Sequence, residues 1–110
     1  MEDKILNKAI IAYGEEAQTD KAVEECAELI QALMKFKTAT SNDNASTKTI
    51  MTRVNNVIDE LANVDIMISQ LKKIFGEKDV EKRKRFKLRR LDKRIDDLNE
   101  YNPNQTVMFK

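Results

Sequence analysis

Only three of the 110 residues are glycine or proline: Gly14, Gly76 and Pro103. A sheet protein needs many tight reversals, and these two residue types supply most of them, whereas a few long helices need only an occasional stop. Charged residues make up 35% of the chain and aromatic residues only 5%, a balance that suits solvated helix faces over a thick core. The fold class predicted is all-α, with one helical domain over residues 1–100 and a tail over 101–110 that follows the break at Asn102-Pro103.

Apolar spacing divides the domain into four helices. The first is expected over about Lys4–Tyr13, with Gly14 as its stop. The second is expected from an N-cap at Thr19 or Asp20 to about Lys37, followed by a loop over "TATSNDNAS", Thr38–Ser46. A third helix over Thr47–Phe75 carries Ile50, Val54, Val57, Ile58, Leu61, Val64, Ile68, Leu71 and Phe75 as its apolar positions, and Gly76 ends it. A fourth runs from an Asp79 cap to about Glu100, with Leu88, Leu91, Ile95 and Leu98 along one stripe. Met34, Met51 and Met67 fall in apolar patterns and are expected to pack. The two long central helices, joined by the loop, are expected to lie antiparallel.

Chemistry is bounded by what the chain lacks. Histidine is absent and Cys26 is the single cysteine, so Cys/His zinc sites, an internal disulfide and histidine-based catalysis are excluded. Cys26, with no histidine to activate it, is expected to be a small core residue. A metal would have to be held by oxygen ligands. No apolar run reaches bilayer length and the amino-terminal "MEDKILNKAI" lacks a signal-peptide core, so a cytoplasmic protein with no membrane partner is expected.

The net charge of +1 conceals a division. Acidic residues outnumber lysines over Met1–Ile30, whereas "EKRKRFKLRR", Glu81–Arg90, holds seven basic residues against one acidic. The acidic part contains "KAVEECAELIQAL", Lys21–Leu33, in which Glu24, Glu25 and Glu28 fall within an arc of about 100° on a helix. Carboxylates so placed repel one another unless solvent, a basic neighbour such as Lys21 or a bound cation relieves them, and carboxylate oxygens are ligands that Mg²⁺ prefers. In "DELANVDIMISQL" the third helix repeats the spacing of Glu25 and Glu28 with Glu60 and Asn63. Antiparallel packing sets the two polar pairs face to face.

With "EECAE" followed at a distance by "DELAN", the chain resembles the MazG-like all-α nucleoside triphosphate pyrophosphohydrolases, whose signature is Glu-Glu-x-x-Glu and Glu-x-x-Asp. The resemblance extends over "ILNKAIIAYGEEAQTDKAVEECAEL", the third helix and "FKLRRLDKRI", and is to short single-domain members found in phages and prophages. It implies a four-helix protomer that self-associates to a dimer or tetramer. It also implies Mg²⁺ held by acidic residues of the two central helices, and conversion of a nucleoside triphosphate to the monophosphate and pyrophosphate. The residues it assigns are Glu25, Glu28 and Glu60 as metal ligands, with Glu24 as a further acid of the catalytic motif. Asn63 stands where the family has aspartate, and its amide oxygen binds Mg²⁺ without contributing charge. Asp59, about 40° from Asn63 around the helix, is placed to assist through water.

Lys87, Arg90 and Arg94 recur at helical spacing in the basic segment and are candidates for the substrate phosphates. Gln18 resembles a polar position near the family's nucleotide pocket. Asn55-Asn56 interrupts the third helix without an evident role. Two other functions remain open: a nucleotide-sequestering relative without turnover, suggested by Asn63, and a nucleic-acid-binding protein using "KRKRFKLRR". The basic run lacks a groove-reading module and an aromatic platform, which disfavours nucleic acid.

Overall fold

Residues 1–101 are described by the computed structural model; of the tail expected over 101–110, Tyr101 belongs to the last helix and the rest lies outside the described residues. Among them the elements are four α-helices and no strand: α1 Glu2–Tyr13, α2 Glu15–Thr40, α3 Thr47–Phe75 and α4 Glu77–Tyr101. No helix among these residues is long and apolar enough to cross a membrane. The chain divides after Phe75 into two compact units.

In the first unit a single glycine separates two helices. Gly14 adopts φ 91° and ψ 156°, a conformation open essentially only to glycine. Its N–H donates to the Ile10 carbonyl at 2.8 Å and its own carbonyl accepts from the Gln18 N–H at 3.1 Å. The chain therefore turns out of α1 and into α2 with no spacer. This moves the start of α2 to Glu15 and corrects the expected cap at Thr19 or Asp20. The Thr19 hydroxyl instead donates back to the Glu15 carbonyl at 2.8 Å, which keeps a capping residue inside the helix.

The far end of α2 also departs from expectation, since the helix continues through Thr38 and Ala39 to Thr40. The Thr38 hydroxyl donates to the Met34 carbonyl at 2.9 Å and the Thr40 hydroxyl to the Phe36 carbonyl at 3.1 Å, while Ala39 is buried. Polar side chains satisfied within the helix, and one small residue packed, hold the last turn. The connection shortens to residues 41–46. There Asn42 Oδ1 accepts from the Asn44 N–H at 3.0 Å, and Ser46 Oγ caps α3 by accepting from the Thr49 N–H at 3.1 Å.

So short a loop returns α3 antiparallel to α2, and this hairpin is the main contact of the unit. The buried and half-buried positions show how it packs. On α2 they include Gln18, Ala22, Glu25, Leu29, Ala32, Phe36 and Ala39; on α3, Ile50, Arg53, Val57, Glu60, Val64, Met67, Leu71 and Ile74. Steps of three and four alternate along both sets, the seven-residue repeat of a coiled-coil seam. Alanines on α2 let the helices approach closely, Ala22 being only 2% exposed. The amphipathic α1 contributes Leu6 to the core, and its Asp3 meets Lys73 of α3 at 2.7 Å.

Several residues expected to pack lie outside this seam. Val54, Ile58, Leu61, Ile68 and Phe75 form a second stripe on α3 and are exposed, as are Met34, Met51 and Cys26; of the three methionines only Met67 is buried. Apolar spacing alone does not distinguish two seven-residue stripes on one helix, and the one facing α2 contains Arg53 and Glu60 in place of two apolar residues. The second unit contains α4, which starts at Glu77, two residues before the expected Asp79 cap. Gly76, at φ 125°, supplies the carbonyl that accepts from the Val80 N–H at 3.1 Å.

Candidate functional site

The hairpin seam is interrupted by polar layers, and there the carboxylates gather. Glu25 on α2 and Glu60 on α3 occupy seam positions, and Glu28 stands one turn beyond Glu25. Each of the three offers a carboxylate oxygen within 4.8 Å of the others, an arrangement that can hold a metal ion. Opposed oxygens stand about 5 Å apart around Ca²⁺ and about 4.2 Å around Mg²⁺, so a 4.8 Å limit admits the larger ion as it stands and Mg²⁺ with a small closing of the side chains.

Hydrogen bonding leaves acceptors over. Glu25 Oε1 pairs with Lys21 Nζ at 3.2 Å, but Glu25 Oε2 and Glu60 Oε2 are buried without a partner. Glu25 as a whole is 8% exposed. Buried carboxylate oxygens ordinarily find donors, and a cation is one group able to satisfy two acceptors orphaned in one cluster.

Electrostatics separates the two glutamates of α2. The ammonium of Lys21 holds the Glu25 carboxyl below the usual glutamate range by donating a hydrogen bond to it, against the opposing effect of burial. Glu28 is pushed above that range, chiefly by the charge of Glu25, with burial and Glu60 adding to it. Lys21 is correspondingly raised by its bond to Glu25 and by the charges of Glu24 and Glu25. The counterion expected for a solvated glutamate stripe is therefore present, and it satisfies one carboxylate of three.

Glu24 does not join the cluster. It points outward, 59% exposed at its side chain, with Lys21 Nζ at 3.6 Å. Asn63 is exposed on α3 one turn beyond Glu60 and is not among the residues lining the groove next to the cluster. Gln18 is buried in the first turns of α2, at a seam position seven residues before Glu25. Lys87, Arg90 and Arg94 are exposed on α4, where the Arg90 guanidinium lies over the Phe86 ring at 5.9 Å from its centroid.

Beside the carboxylates the hairpin surface forms a groove of about 310 Å³. Glu28, Asp59 and Glu60 line it together with Lys35, Arg53 and Asn56. The two cations and the amide are not evident from the acidic motifs. Arg53, however, precedes Glu60 by one seven-residue repeat, and Lys35 follows Glu28 by the same interval. Asn56, part of the unexplained Asn55-Asn56 interruption, faces this groove. A second depression of about 610 Å³ continues toward the loop and shares Gln31, Lys35 and Arg53 with the first.

Comparison of the chain with protein-family models, with curated proteins and with solved structures gives no match. Function has to be argued from the site itself.

Proposed function

We propose that the chain is a Mg²⁺-dependent nucleoside triphosphate pyrophosphohydrolase of the MazG-like type, active as a dimer or tetramer. The observation that carries this reading is the convergence of Glu25, Glu28 and Glu60 across the hairpin, with buried oxygens of Glu25 and Glu60 lacking any donor. Such a donor set is all oxygen, anionic and within the span of a divalent ion, which is the chemistry Mg²⁺ requires. When bound, the ion neutralises phosphate charge that these glutamates would otherwise repel.

The chain's own groups perform the rest. Glu25 and Glu60, fixed in the seam, hold one face of the site rigid. Glu28 opens onto the groove, in place to orient a water and to receive its proton as the water oxygen bonds to the α-phosphorus. The bond from that phosphorus to the bridging oxygen breaks, and pyrophosphate departs with the electron pair. The exposed Val54, Ile58, Leu61, Ile68 and Phe75 along one side of α3 support self-association, because large apolar side chains gathered on one side of a helix are ordinarily covered by a partner.

A second reading follows from Asn63, whose neutral, exposed amide stands where the motif has a carboxylate: the chain binds nucleotides without hydrolysing them. Pyrophosphate release from ribo- and deoxynucleoside triphosphates, measured with Mg²⁺ and with a chelator, separates the two. Mg²⁺-dependent release abolished by Glu28→Gln and Glu60→Gln is expected. Saturable nucleotide binding without release would establish the second reading, and neither binding nor release would defeat both.

A further inference from the structure

The groove beside the carboxylates contains two cations, Lys35 and Arg53. Among the described residues neither Lys35 nor Arg53 makes an ion pair or a side-chain hydrogen bond, although both line a groove with Glu28, Asp59 and Glu60. The separation has a simple origin. Lys35 lies seven residues from Glu28 and Arg53 seven from Glu60, which places the cations about 10 Å along the hairpin from the carboxylates. The groove thus has an anionic end and a cationic end. Arg53 is also half-buried at a seam position, where an unpaired guanidinium is costly and an apolar side chain would pack better.

From this polarity we infer that Lys35 and Arg53 form an anion subsite that grips the phosphate chain of the nucleotide, with the nucleoside lying in the adjoining depression toward the loop. The inference rests on the pyrophosphohydrolase reading for its ligand and adds the direction in which that ligand lies. Lys35 and Arg53 line both hollows, so a chain of phosphates leaving the carboxylate end passes between them. The larger hollow, about 610 Å³, is within the size range of small-molecule sites and is lined by Met34 and Ala39 together with the polar Thr38 and Asn42. Apolar walls with a few polar groups suit a base and sugar. Asn56, in the smaller groove, offers an amide donor to the phosphates.

Calorimetry of the full chain with inorganic triphosphate tests the subsite, with Mg²⁺ and in chelator, comparing the parent with Lys35→Gln, Arg53→Gln and the double variant. Each single change is expected to weaken triphosphate binding about tenfold and the pair about a hundredfold, as charge-assisted hydrogen bonds are lost. Mg²⁺ binding measured alone should stay within about twofold of the parent, since neither cation is a metal ligand. Lys35 is exposed, so if Arg53→Gln loses its helical circular dichroism, Lys35→Gln alone decides.

Triphosphate binding unaffected by the substitutions, or absent from the parent in both buffers, overturns the subsite. Triphosphate binding that depends on Lys35 and Arg53 with no Mg²⁺ response at all supports the subsite and defeats the metal centre instead, so the two failures are distinguishable. Thr38→Trp, at an exposed position of the larger hollow, should weaken binding of a nucleoside triphosphate at least tenfold and leave inorganic triphosphate unchanged. Equal effects on the two ligands would overturn the placement of the nucleoside.

Discussion

Replacing Glu60 with leucine should make the metal-free protein more stable while removing its response to metal. Glu60 occupies a half-buried position of the α3 seam, between Val57 and Val64, and its Oε2 is buried without a donor. Full burial of a leucine side chain contributes about 1.5–3 kcal/mol, so a half-buried position is worth about 1 kcal/mol. Removing an unsatisfied buried oxygen adds about 1 kcal/mol at the low end of its usual cost. Together these give about 2 kcal/mol, which for a unit of this size raises the melting temperature by about 8–16 °C. Thermal denaturation by circular dichroism in chelator measures it, with Asp59→Leu as a control at an exposed neighbour, expected to change stability by no more than about 0.5 kcal/mol. In excess Mg²⁺ the parent should gain stability by mass action, about 2.7 kcal/mol at a hundredfold excess over Kd, and Glu60→Leu should gain none. A variant that melts at or below the parent with its helix content intact would refute the placement of Glu60 in the seam.

Three further outcomes are expected. Gly14→Ala should cost about 1–3 kcal/mol in urea denaturation, all of it from backbone conformation, because an added Cβ meets nothing within 4 Å. Asp3 is held below the usual carboxylate range by its hydrogen bond from Lys73 and then by that residue's charge. Its contribution is therefore present above the unfolded carboxyl pKa and lost as pH falls through the lowered folded value; Asp3→Asn should flatten that acid limb, and added salt should shrink the difference between the two proteins. Asn63→Asp should tighten Mg²⁺ binding in calorimetry if Asn63 reaches the ion, and unchanged affinity would place that side chain outside the metal's coordination shell.

Helix number and class were legible because breakers are so few: Gly14 and Gly76 end helices just where apolar spacing stops, and α3 has the expected bounds. The start of α2 was not legible. Thr19 and Asp20 are good capping residues, and nothing local shows that Gly14 alone turns the chain, leaving Thr19 to bond back to Glu15. The buried face of α3 was legible only in part for a related reason: of the expected apolar positions, Ile50, Val57, Val64 and Leu71 lie in the seam. Val54, Ile58, Leu61 and Ile68 lie on a stripe broken by Asp65 and Lys72, the seam is broken by Arg53 and Glu60, and only pairing with α2 selects between two stripes of similar apolar content. Glu25, Glu28 and Glu60 were legible as a group through spacing on two antiparallel helices. Glu24 was not separable from them, because angles around one helix do not say which side Lys21 will occupy. Lys35 and Arg53 were not legible as a pair, because Lys35 near the end of α2 reads as a helix-terminus cation and nothing in the spacing shows that Arg53 lines the same groove.

Polar seam residues determine what kind of hairpin this is. A seven-residue seam filled with leucine and isoleucine would hold two helices together more strongly than one carrying Gln18, Glu25, Arg53 and Glu60, and many registers would serve it nearly as well. Here the polar positions recur at the same interval as the alanines Ala32 and Ala39, so sliding one helix by a full repeat preserves the packing of small against large residues but separates Glu25 from Glu60. The six-residue loop and Leu6 of α1 oppose such a slip from the two ends. A cation bridging the carboxylates would oppose it from the middle, because only the native register brings the three oxygens within one coordination sphere. On the proposed reading metal binding and the choice of register would be the same event viewed at two scales, and a chain with a modest core would gain specificity from the very residues that weaken its packing.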